Sequence, residues 1–150
     1  MSSEHVLDIV ERHSVGRDGL ISILQEVQGR FGYLPVDALK AVATRTGRSL
    51  VDVYGVATFY RSFSLKPRGR HLCSVCLGTA CHVRGGAVIS EEFRRELGVE
   101  AGETTTDGEF TLETVNCLGT CAIGPVTTID TKYHGGMKPA KVEKILKSCE

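Results

Sequence analysis

The chain has 150 residues, 41% of them apolar, with eighteen basic and eighteen acidic side chains that cancel. That suffices for one packed domain, or a small domain with an appendage, and the balanced charge (eight basic and seven acidic residues over 1–66) leaves no footprint for nucleic acid or an anionic membrane. No apolar run reaches 18 residues, so no direct membrane insertion is expected, and Met1-Ser2-Ser3-Glu4-His5 lacks a signal-peptide pattern.

Residues 5–13 read as a short amphipathic helix with Val6, Ile9 and Val10 on one face, followed by a break over Ser14–Gly16. A second helix is predicted from Asp18, a plausible N-cap, to Arg30. Its apolar stripe is Leu20, Leu24, Val27 and Phe31, and Gly32 stops it. Pro35 suits the first turn of a third helix that buries Leu39, Val42 and Ala43 and ends at Gly47. Ser49 and Asp52 form a capping box with a short acid, opening a fourth helix that carries Val53, Tyr54 and Ala57. Four short helices make a bundle over 1–66, closed by the polar Ser64-Leu65-Lys66-Pro67-Arg68-Gly69-Arg70 boundary.

Over 67–150 the period changes. His71–Cys76 reads as a strand, and 87–97 as a helix with Val88, Ile89, Phe93 and Leu97 inward. Asp107-Gly108 marks a hairpin turn before a strand at Phe110–Val115. Two short strands follow, over 126–130 and 132–134, and Pro139 starts a last helix with Val142, Ile145 and Leu146 inward. The fold class is α/β: a helical bundle, then a sheet with helices packed against it.

Two stretches carry the chemistry. Cys76-Leu77-Gly78-Thr79-Ala80-Cys81 and Cys117-Leu118-Gly119-Thr120-Cys121 both open with Cys-Leu-Gly-Thr and close on a second cysteine, with 35 residues between them. The expected location is cytoplasmic and reducing, where paired cysteines more often hold metal than form disulfides. Four thiolates on two loops suit tetrahedral zinc or an iron–sulfur cluster, and the C-x4-C spacing favours the cluster, since zinc sites mostly use C-x2-C. Cys73-Ser74-Val75-Cys76 is formally a C-x-x-C, but strand alternation aims its two thiols at opposite faces. Cys73 therefore reads as a small buried hydrophobe, and Cys149 as a non-ligand beside the last helix.

Together with His82-Val83-Arg84-Gly85-Gly86, the two cysteine stretches resemble the thioredoxin-like [2Fe-2S] ferredoxins. The branch resembled is the E-type subunit of respiratory complex I, with the small subunits of NAD(P)-linked bifurcating hydrogenases and formate dehydrogenases. The stretches from Leu24 to Pro35 and from Val53 to Tyr60 also resemble the N-terminal region of that branch. The resemblance implies a helical bundle at 1–66 and a thioredoxin-like [2Fe-2S] domain at 67–150. It also implies one [2Fe-2S] cluster, with Cys76 and Cys81 on one iron and Cys117 and Cys121 on the other. Arg84 and His82 are the candidates to tune it, against a reading as solvated side chains. Thr79 and Thr120 either donate to sulfur or satisfy their own turns. A departure is Ile123-Gly124-Pro125, where relatives often have alanine before the proline.

The implied function is electron transfer inside an NAD(P)H-linked oxidoreductase, without catalysis of its own. The resemblance implies as partner an NADH-binding flavoprotein subunit carrying FMN and an iron–sulfur cluster; this chain itself has no dinucleotide fingerprint. Phe59, Tyr60 and Phe63 have two readings, a docking surface for that partner or the bundle's own core. The alternatives are a zinc-stabilised, non-redox adaptor and a free-standing ferredoxin.

Overall fold

The computed structural model describes residues 3–12 and 19–149. They fall into two compact units, Met1–Pro67 and Arg68–Glu150.

The first unit is helical, with α1 (Ser3–Arg12), α2 (Leu20–Phe31), α3 (Val36–Thr46) and α4 (Leu50–Phe59). Val6, Ile9 and Val10 of α1 are buried with Leu24, Val27, Leu39, Val42 and Val53 in one apolar core. The predicted break at Ser14–Gly16 and the Asp18 cap lie outside the described residues, and Gly19 takes the cap position of α2 without a side-chain bond. Gly32 ends that helix at φ 77°, a left-handed conformation that costs glycine little, and its N–H reaches Gln28 O at 2.7 Å. Pro35 stands one residue before its predicted place. Its ψ of 146° is extended, so it caps α3 rather than entering it.

At α4 the capping box is modified by the shorter acid. Ser49 Oγ accepts from the Asp52 N–H at 3.1 Å and donates to the Asp52 carboxylate at 2.7 Å. The segment after α4 is tied back by Gln28, whose amide donates to Ser62 O at 2.6 Å and accepts from Ser64 N–H at 2.7 Å. Phe63 thereby joins the core, whereas Phe59 is 80% exposed and Tyr54 about half exposed.

The second unit is built on a five-stranded mixed sheet, in the order β2-β3-β1-β4-β5. Its strands are β1 (His71–Cys76), β2 (Glu103–Thr104), β3 (Phe110–Val115), β4 (Thr127–Ile129) and β5 (Lys132–His134). Its helices are α5 (Thr79–Val83), α6 (Gly86–Leu97) and α7 (Pro139–Lys147), and a 3₁₀ turn covers Cys121–Ile123. β1 and β3 run parallel with Cys76 beside Val115, so both strands end at one edge of the unit. Both cysteine stretches leave from that edge. β4 returns antiparallel to β1, with Val75 opposite Thr127.

Alternation sorts the side chains of β1. Cys73 and Val75 enter a core with Ile89, Phe93, Leu112, Val142 and Leu146, while Cys76 joins a separate small cluster with Cys81 and Val126. Val88 does not point inward as predicted and is 57% exposed. The reason lies at the start of α6. A Cβ on Gly86 would stand 2.8 Å from Cys76 O and 2.9 Å from Cys81 O, so this position faces the protein. Counting on at helical spacing brings Ile89, Ser90 and Phe93 inward, and leaves Val88 outside.

At the opposite end of β1, the predicted strand over 126–130 stops one residue early. Asp130 adopts φ 55° and turns the chain. Its carboxylate accepts from His71 Nδ1 at 2.8 Å and from the Leu72 N–H at 2.9 Å. Burial works to raise its pKa, but these bonds and the His71 charge together hold the carboxyl below its ordinary 3.8. A depressed carboxylate contributes stability above its unfolded pKa and loses it as pH falls through the folded value. Asp130→Asn is therefore expected to melt below wild type at pH 7, with the gap closing as pH drops below about 4. A constant gap across a pH series of thermal melts would contradict this.

Candidate metal centre

The first cysteine pair is positioned by the end of β1. Cys76 donates its N–H to Val126 O at 3.1 Å and Leu77 donates to Val115 O at 2.7 Å, which fixes the exit from the strand between β3 and β4. The chain then turns at Gly78 into α5, whose single turn carries Cys81. The sequence reading treats this stretch as a loop. Five residues are too few to show an apolar period, so the helix was not legible there. Cys76 and Cys81 are each only 2% exposed.

The second pair follows β3. Cys117 and Cys121 are exposed, and Gly119 donates its N–H to Cys117 Sγ at 3.3 Å. The two stretches meet backbone to backbone. A Cβ on Gly78 would lie 2.2 Å from Asn116 O and 3.4 Å from Cys117 Cα, a separation only glycine permits. Arg84, just past α5, donates from Nη1 to Cys121 O at 2.9 Å and so crosses between the pairs. This bond holds the second stretch in place. His82 is exposed and makes no comparable bridge among the described residues.

The thiols perturb one another. Burial, hydrogen bonding to Cys76 and the charges of Cys76 and Cys121 push the Cys81 thiol up, against a backbone hydrogen bond from Val126. Cys121 is raised by its hydrogen bond to Cys117 and the Cys117 charge, then by slight burial and by Cys76. Cys81 is thus perturbed by Cys76 and Cys121, and Cys121 by Cys117 and Cys76, so the two stretches act on one another across the 35-residue gap. Among the described residues, no three His, Cys, Asp or Glu side chains converge on a single ion position. Cys73 lies elsewhere. It is fully buried in the main core, and desolvation, then the charges of Cys149 and Asp130, push its thiol up to about 12. A thiol held so far from ionisation is a packing group.

The sequence model of the thioredoxin-like [2Fe-2S] ferredoxins matches residues 6–150. This chain belongs to that family. A similar protein is the NADP-reducing hydrogenase subunit HndA of Solidesulfovibrio fructosivorans, 36% identical over 94% of this chain and 82% of that one. Another is the E-type subunit of NADH-quinone oxidoreductase from Pseudomonas aeruginosa, 39% identical over 88% of this chain and 80% of that one. The fold is also that of part of an NAD+-reducing [NiFe]-hydrogenase structure, with a TM-score of 0.77 at 18% identity. The match covers 91% of this chain but only 24% of the hydrogenase chain.

The family's cofactor is a [2Fe-2S] cluster, and three features of the site fit it. The facing donors are four soft thiols, grouped two by two, as two irons with two ligands each require. Gly124 leaves room beside the first pair, where a Cβ would come within 3.2 Å of Cys81 Sγ. The hydroxyl of Thr120, between Gly119 and Cys121, is buried and has no partner among the described residues. Sequence reasoning had no sign of the Gly78 contact or the Arg84 bridge, since both depend on how two distant stretches are brought together.

Proposed function

We propose that the chain is the one-electron carrier of an NAD(P)H-linked oxidoreductase, with Cys76 and Cys81 ligating one iron and Cys117 and Cys121 the other. What supports this is that both cysteine stretches leave the same edge of a ferredoxin-family sheet and meet backbone to backbone at Gly78 and Asn116. When bound, the cluster supplies reversible one-electron storage. The chain's own residues bind it, orient it and set its surroundings. Val115, Leu118 and Val126 pack about Cys76 and Cys81 and keep water from that side. Cys117 and Cys121 face solvent and give the side on which a partner approaches. The Gly119 N–H on Cys117 Sγ stabilises negative charge there, and Arg84 places its cation beside Cys121.

The partner this reading requires is an FMN flavoprotein subunit with an iron–sulfur cluster, which binds the nicotinamide. The relatives named above are subunits of hydrogenase and NADH-quinone oxidoreductase, which supports such an assembly, and cytoplasmic placement goes with it. Among the described residues no helix is long and apolar enough to cross a membrane. The test is anaerobic purification with iron, sulfide and zinc analysis, followed by EPR before and after dithionite. Two irons per chain, silent when oxidised and a single spin-half signal when reduced, are expected. Stoichiometric zinc with no reducible signal would leave the zinc-stabilised adaptor instead.

A further inference from the structure

Thr120 occupies the cap position of the 3₁₀ turn Cys121–Ile123. A threonine there ordinarily accepts a backbone N–H through its hydroxyl. This one does not. The Ile123 N–H is taken by the Thr120 carbonyl at 3.1 Å, and the hydroxyl makes no cap bond. Its oxygen is nonetheless buried and without a partner among the described residues. A buried hydroxyl left unpaired is a standing cost that calls for an acceptor nearby.

The other threonine in the equivalent Cys-Leu-Gly-Thr position, Thr79, is exposed on α5 and needs no partner beyond water. Thr127 also has an unpaired buried hydroxyl, but it lies on the face of β4 shared with Ile129, in register with Val75 of the main core. Only Thr120, among the described residues, combines an idle, buried donor with a place between two of the four facing thiols.

We propose that the Thr120 hydroxyl donates a hydrogen bond to sulfur of the cluster site and thereby favours the reduced cluster. This rests on the four-cysteine reading above. Reduction adds one negative charge to the cluster, so a donor aimed at sulfur stabilises the reduced form more than the oxidised form. The two cysteine stretches are then not equivalent. The first contributes a solvated hydroxyl that does nothing to the potential, the second a desolvated one that raises it.

The test is EPR-monitored redox titration of the full chain with its cluster, for wild type and for Thr120→Val, Thr120→Ala, Thr120→Ser and Thr79→Val. Thr120→Val and Thr120→Ala are expected to weaken reduction by about tenfold, a midpoint about 59 mV more negative for a one-electron couple. Thr120→Ser, which keeps the hydroxyl, and Thr79→Val should titrate with wild type. A deuterium-exchangeable proton coupling in the reduced signal should be lost in the Val and Ala variants and kept in Thr120→Ser. A wild-type midpoint in Thr120→Val or Thr120→Ala, or a Thr120→Ser shifted along with them, would overturn the hydrogen bond and leave the ligand assignment standing. Wild-type protein without a two-iron cluster would instead sink the ligand assignment, and the hydrogen bond with it.

Discussion

Gly78→Ala is expected to be among the most damaging single-methyl additions available in this protein. The new Cβ would stand 2.2 Å from Asn116 O, and that oxygen belongs to backbone rather than to a side chain able to swing aside. The pressure falls between the two cysteine stretches, because Asn116 immediately precedes Cys117. Relief requires moving Cys117 away from β1, on which the first pair depends. Overpacking of this kind costs about 3 kcal/mol, at the upper end of the usual range. For a unit of this size that lowers the melting temperature by roughly 15 °C, and cluster content should fall with it. Gly119→Ala is the control. Its φ of 74° is left-handed, unlike that of Gly78 at −57°, but no atom lies within 4 Å of its Cβ position, so the cost is only the local strain of about 1 kcal/mol. Equal melting of the two variants, measured by circular dichroism alongside iron content, would show that the close approach between the stretches is not what holds the centre together.

Much of this could be read along the chain, because local chemistry decides it. His71–Cys76 and Phe110–Val115 are strands in the structure as in the sequence, since runs of β-branched and apolar residues between glycine and proline signals have no competing period. The sites of Gly32, Gly47 and Ser49 follow from what a helix end needs. The four cysteines stood out by spacing, and alternation correctly separated Cys73 from Cys76. What could not be read is whatever depends on distant segments meeting. The parallel pairing of β1 and β3, which brings the two cysteine stretches together, has no signature in either strand. The outward turn of Val88 follows from Gly86 resting on the Cys76 and Cys81 carbonyls, a contact between elements. Arg84 carries two readings in the sequence, a tuning cation or a solvated side chain, and its bond to Cys121 O at 2.9 Å depends on the two stretches meeting. Thr120 matched Thr79 in sequence, and only burial told them apart.

Comparing cysteine substitutions one by one separates packing from ligation. Cys73 and Cys76 are both buried, at 0% and 2% exposure, and both lie on β1. Truncating either to alanine removes one sulfur from a packed interior, a loss of about 1 kcal/mol by analogy with deleting a buried methylene-sized group. If packing were all that mattered, the two variants would behave alike. Cys73→Ala is expected to keep two irons and a wild-type reduced EPR signal, with only the modest drop in melting temperature. Cys76→Ala is expected to lose the cluster and, with it, the stability that metal binding adds to the folded state. Cys117 sharpens the contrast from the other side. Its thiol is exposed, so Cys117→Ala should cost the metal-free chain within about 0.5 kcal/mol, the usual range for a surface change. Its cluster content should nonetheless collapse as completely as that of Cys76→Ala. A Cys117→Ala protein that retains two irons per chain would remove Cys117 from the ligand set, and a Cys73→Ala protein that loses them would put Cys73 there.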